Sequence, residues 1–148
     1  MSHSFLLEPG RWTLQGNWLT KDLLPMTVKG KILVAWNSND WFTMVTKLVF
    51  PNGELDDISL QYKGRITGSN RQYTFVLQHS VLGRVEGEGW IAPSSIVQQY
   101  WALKDRHMRT GFETLYRLSP KQYHFSGGIM AGHQLTSTME AIVERHQG

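Results

Sequence analysis

LQYKGRITGSNRQYTFVLQH, residues 60–79, decides the fold. A turn cluster, Thr67-Gly68-Ser69-Asn70, divides it into two extended segments. Beyond the turn, Tyr73, Phe75, Leu77 and His79 alternate with Gln72, Thr74, Val76 and Gln78. A two-residue period places the first set on one face of a β-strand. Gly and Asn tolerate the backbone conformations of a tight reversal, so the two segments read as a hairpin.

The same unit repeats in both directions. Upstream, strands are expected over 11–19, 27–36, 41–50 and 55–66, separated by 21–25, by Asn37-Ser38-Asn39-Asp40 and by Pro51-Asn52-Gly53. Within 11–19, Trp12, Leu14, Gly16 and Trp18 share one face, and Arg11, Thr13, Gln15 and Asn17 the other. Pro25 excludes a helix running through the first connection. Downstream, strands follow over 72–79, 84–91, 96–103, 108–118 and 122–130, punctuated by Gly83, Pro93, Asp105-Arg106 and Ser119-Pro120.

The final segment, 135–145, admits two readings. Leu135, Ser137, Met139, Ala141 and Val143 alternate as a strand would. Ser137 and Glu140 form a capping-box pattern, and Leu135, Met139 and Ile142 have helical spacing. The strand is preferred, because a closing strand removes the exposed edges of the sheet. The expected fold is all-β: a single closed antiparallel up-and-down barrel of about 8–10 strands with little helix, spanning 1–148 as one domain. Barrels of this size enclose one small ligand.

Composition narrows the function. The 148 residues carry six Trp, five Tyr and six Phe, residues that favour strands and line small-molecule pockets. The net charge of +3 comes from scattered basic residues. The densest stretch, Lys104, Arg106, His107 and Arg109, reads as a solvated hairpin tip, so no nucleic-acid partner is expected. There is no cysteine, which excludes disulfides and thiolate chemistry and fits a reducing compartment. The first ten residues lack a basic n-region, and no apolar run reaches membrane-helix length, so a cytoplasmic protein without a membrane span is expected.

Gly10-Arg11-Trp12 is a G-x-W at the start of the first strand. It resembles the calycin group, which includes lipocalins and fatty-acid-binding proteins. In that group a basic residue of the last strand packs across the tryptophan, and Arg145 is the matching residue here. The long helix of lipocalins and the helix pair of fatty-acid-binding proteins have no counterpart, which brings the pattern nearer to nitrobindin-like and phycobiliprotein-lyase-like barrels. The run 134–143 looks similar to the last strand of nitrobindins. Thr138 stands where their haem-ligating histidine is expected, and His133 is off register. The resemblance therefore implies no haem, and no cofactor is expected.

Several residues are candidates for chemistry. His79, His107, His124 and His133 have no metal-ligand spacing. Glu86 and Glu88 share a strand face with Trp90 and read as solvated, with Gly87 and Gly89 inward. Inward glycines leave room for a ligand or for a large neighbouring side chain. Glu54, Asp56 and Asp57 lack the spacing of a calcium loop. No nucleophile elbow or phosphate-binding glycine motif is present.

The expected ligand-binding residues are Tyr73, Phe75, His79, Gln99, Trp101, Phe112 and Tyr116, with Thr110 and Thr114 on the same face of their strand. Arg109 and Arg117 take the opposite phase, and inward Arg109 would anchor a carboxylate. The leading expectation is a barrel that binds a small apolar or amphipathic molecule. A barrel enzyme using His79 or Glu86/Glu88 with Tyr100 or Tyr116 is the alternative. An interaction module displaying Trp41 or Trp90 is a third.

Overall fold

A computed structural model of the chain describes residues 3–22, 24–37, 40–53 and 55–146. Ser38 and Asn39 of the expected second turn, and Glu54, lie outside the described residues. The strands are β1 (Gly10–Thr20), β2 (Met26–Trp36), β3 (Trp41–Val49), β4 (Ile58–Thr67), β5 (Gln72–His79), β6 (Gly83–Ile91), β7 (Ser95–Ala102), β8 (Arg109–Ser119), β9 (Gln122–Ala131) and β10 (Gln134–Arg145). Each pairs antiparallel with its neighbours in sequence, and β10 returns to β1 to close the barrel. There is no helix among the described residues.

The segment that admitted two readings is a strand. Met139 of β10 stands opposite Trp18 of β1 on one side and Gly127 of β9 on the other. Pairing on both sides satisfies backbone groups that a helix would leave bare on β1 and β9. The 67–70 turn works as its composition requires, with Gly68, Ser69 and Asn70 all at positive φ.

Rings over glycines narrow the interior. Running round the barrel, Phe42 faces Gly64, Gly64 faces Phe75, Phe75 faces Gly87, Gly87 faces Tyr100, and Tyr100 faces Gly111. A Cβ on Gly87 would lie 2.3 Å from Phe75 Cζ, and one on Gly111 would lie 2.1 Å from Tyr100 Cζ. Each ring therefore lies across the backbone of the next strand. A barrel of ten strands is wider than one that ordinary side chains just fill, and this device closes much of the excess.

The N-terminal segment plugs one end. Phe5 and Leu6 are buried, and Trp36 Nε1–H donates to the Leu6 carbonyl at 2.8 Å. His3 Nε2 contacts the Ala92 carbonyl at 2.7 Å, which assigns the proton to Nε2. Its Nδ1 then accepts from the Tyr123 hydroxyl at 2.8 Å. Trp12 lies under this plug, edge-on to Phe5, with the Arg145 guanidinium 5.6 Å from its ring centroid. Arg145 also donates to the Pro9 carbonyl at 3.0 Å. The expected clamp between first and last strands is thus present at the closed end.

Candidate functional site

The opposite end is open. Its rim is built from the end of β1, the segment after β3, and the β5–β6, β7–β8 and β9–β10 hairpins. A mouth of ≈ 340 Å³ lies between Trp18, Asp56, Asp57, Val81, Arg109 and Thr136. It shares Trp18, Ile58, His79, Ile129 and Ser137 with an upper cavity of ≈ 40 Å³. That cavity shares Leu48, Leu60, Glu113, Phe125 and Met139 with a lower one of ≈ 50 Å³, which ends on Phe5 and Leu6 of the plug. Each inner cavity has room for a few waters.

Glu113 stands where the two inner cavities meet. Register explains its position. Tyr73 faces Gly89, Gly89 faces Gln98, Gln98 faces Glu113, and Glu113 faces Gly127. With no side chain on Gly89, the Tyr73 ring crosses it, and its hydroxyl donates to Gln98 Oε1 at 2.6 Å. Gln98 Nε2–H donates in turn to Glu113 Oε1. On the other side the Glu113 Cγ lies 3.0 Å from where a Gly127 Cβ would be, so the acid leans over bare backbone. Burial pushes the Glu113 carboxyl up to about 7, opposed by the Gln98 hydrogen bond. Burial, then the Glu113 charge, raises the Tyr62, Tyr73 and Tyr100 hydroxyls.

His79 sits between mouth and upper cavity. Its Nδ1 accepts the backbone N–H groups of Val81 and Leu82 at 3.1 and 3.2 Å, which locks the ring to the β5–β6 turn. Burial and then the charge of Arg109 lower its pKa to about 4, so the ring is neutral. Arg109 is itself committed. Its Nε and terminal nitrogen bind the Asp105 carboxylate at 2.9 and 3.1 Å, and its backbone N–H reaches the same group at 2.8 Å. That fork holds the Asp105 carboxyl down to about 2.

The expected site residues divide by strand. Tyr73, Phe75 and His79 point into the barrel and are buried. Gln99, Trp101, Phe112 and Tyr116 point outward, with Trp101 39%, Phe112 47% and Tyr116 52% exposed. The inward positions of those strands belong to Ile96, Gln98, Tyr100, Gly111, Glu113 and Leu115. A shift of one residue exchanges one whole face for the other. Glu86 and Glu88 also stand outside the lumen, and Glu88 accepts from Gln99 at 3.0 Å across the outer face. Of the residues weighed for a barrel enzyme, only His79 and Tyr100 reach the cavity. Trp41 lies beside Lys63 and Arg65, 5.5 and 5.9 Å from its ring, while Trp90 is 59% exposed. Among the described residues no three His, Asp or Glu side chains gather as a metal would require. None of the helices needed to cross a membrane occurs among them either.

Gln98 and Glu113 were missed by sequence reasoning, although a signal was present. Gly111 shares a strand face with Glu113, and glycine already marked the inward phase at Gly87 and Gly89.

Against solved structures the chain is similar to Rv2717c from M. tuberculosis, at 14% identity and a TM-score of 0.70, over 93% of this chain and 92% of that one. It is similar to the S-type phycobiliprotein lyase CPES from Guillardia theta, at 13% identity and 0.65, over 95% and 89%. A third likeness is to EF1p2_mFAP2b, solved bound to DFHBI, at 15% identity and 0.52, over 99% of both chains. The likeness is one of fold. It agrees with the lyase-like barrel that the Gly10-Arg11-Trp12 resemblance implied. No family model and no curated protein matches the chain.

Proposed function

We propose that this barrel binds a small apolar or amphipathic molecule, admitted through its open end. One observation carries the reading: the mouth and both inner cavities follow one another from the rim to the N-terminal plug and share lining residues. Its walls are apolar except for the Tyr73–Gln98–Glu113 chain, His79 and a few hydroxyls, the make-up of a pocket that orients a mostly apolar guest. Tyr73, Phe75 and His79 keep their proposed part as wall residues. Gln98 and Glu113 take the polar, orienting part in place of the outward Gln99 and Tyr116. The fold-level likeness to a chromophore lyase and to a barrel solved with DFHBI supports a guest inside rather than a filled core. The lack of cysteine supports a reducing compartment such as the cytoplasm.

Native mass spectrometry against a panel of apolar and amphipathic molecules tests the reading. Adducts are expected with the parent protein and are expected to disappear in Ile129→Trp, which fills the neck between mouth and cavity. Adducts that survive Ile129→Trp in a folded protein would place the guest elsewhere. A panel without any adduct would end the container reading.

A further inference from the structure

Glu113 is the one acid that lines the inner cavities, and what surrounds it is unusual for a carboxylate. Its hydrogen-bond partner is the neutral amide of Gln98, and it takes part in no ion pair among the described residues. The titratable groups facing it are Tyr62 from β4, Tyr73 and His79 from β5, and Tyr100 from β7. The remaining walls supply Phe125 and Gly127 from β9 and Met139 from β10. None of these side chains carries positive charge, since the turn fixes His79 as a neutral acceptor at Nδ1. The nearest guanidinium at the rim, Arg109, is forked onto Asp105.

A second carboxylate oxygen therefore stands beside the hollow with no hydrogen bond from the described residues. A charge in this position is costly unless it is paired. Rings also surround it, and their faces attract cations. We infer that the guest carries a cationic or multiply N–H-donating head, an amine or amidine class of group, which lies against Glu113 while its apolar body extends through the Trp18–Ile129 neck to the mouth. This rests on the container reading and adds the polarity and direction of the guest. An anionic head is disfavoured by Glu113 inside.

The test uses three probes with one chain length: n-hexylamine, n-hexanol and hexanoate. Each is titrated into the intact protein by ¹H–¹⁵N NMR at pH 8 and at pH 5.5. At pH 8 the ammonium is expected to bind at least ten-fold more tightly than the alcohol, with hexanoate weakest. At pH 5.5, with Glu113 protonated, that preference is expected to shrink several-fold. Glu113→Gln, close to isosteric, is expected to abolish the preference while the alcohol still binds. Equal binding of amine and alcohol in the parent protein at pH 8 overturns the inference and leaves the container intact. So does a preference that Glu113→Gln or pH 5.5 leaves unchanged. Binding by none of the three overturns both readings. The pH comparison needs no variant, so a misfolded Glu113→Gln would not rescue the inference.

Discussion

Replacing Glu113 with Gln should change how stability depends on pH, because the half-buried Glu113 and the buried His79 titrate in opposite senses. The native Glu113 carboxyl releases its proton near pH 7, against 4.5 for an ordinary glutamate. Between these values the native protein holds a proton that the unfolded chain has lost. Raising pH through that window therefore removes stability, up to about 3 kcal/mol by linkage. His79 does the reverse. Its native pKa of about 4 lies below the ordinary 6.5, so the unfolded chain binds the extra proton, and stability rises with pH across that interval. This gain is also worth about 3 kcal/mol. From about pH 4.5 to 6.5 the two slopes oppose, and the parent protein should be nearly flat.

Glu113→Gln removes the falling limb, so its stability should climb from pH 4.5 to 6.5 and then level. His79→Asn, whose Oδ1 can accept the same turn N–H groups, should lose the His79 rise and keep the fall up to pH 7. His3 is also held below its ordinary pKa by burial, and adds a rising contribution common to every variant. The difference between parent and Glu113→Gln therefore isolates Glu113. Urea unfolding followed by tryptophan fluorescence from pH 4.5 to 8 measures it. Parent and Glu113→Gln profiles that differ only by a constant offset would refute the reasoning.

Four further outcomes follow from the packing. Arg145→Ala should cost about 1–2 kcal/mol by removing the cation over Trp12, with Arg145→Lys costing less, read from urea midpoints. Gly111→Ala should cost about 1–3 kcal/mol, because the new Cβ meets the Tyr100 ring, and a calorimetric melt would show it. Gln98→Leu should cost about 2 kcal/mol by stripping Tyr73 and Glu113 of their partner, measured by urea unfolding at pH 7. Gln99→Leu, on the outer face, should stay within about 0.5 kcal/mol in the same assay.

The contrast between Gln98 and Gln99 also shows why the barrel was legible in the sequence and its lumen was not. Turn residues and alternation survive whichever face points inward, so Gly53, Thr67-Gly68-Ser69-Asn70 and Gly83 locate hairpins without ambiguity. The inward phase needs a difference between the two faces, and β7 offers almost none. Ile96, Gln98 and Tyr100 on one face match Val97, Gln99 and Trp101 on the other nearly residue for residue. Strand β8 is misleading, since Thr110, Phe112, Thr114 and Tyr116 look like a pocket wall, while the face with Gly111 and Glu113 looks solvated. β5 gives the opposite case, with Tyr73, Phe75, Leu77 and His79 all inward and buried.

Glycine resolves the phase where hydropathy does not. In a barrel this wide, rings reach across the lumen only over strands that carry no side chain at that point. Gly64, Gly87, Gly89 and Gly111 each lie under such a ring, so a strand glycine beside an aromatic marks the inner face at these four positions, with Gly128 beside the outward Phe112 as the exception. Applied to β8, the rule turns Gly111 inward and carries Glu113 with it. An acid there is a poor choice for stability alone: near neutral pH it costs about 3 kcal/mol that a leucine of similar volume would avoid. The surrounding rings and glycines make the barrel without it. Under the amine-head proposal, the same uncompensated charge becomes the recognition energy for the guest, and a cation beside it should return much of what its burial costs.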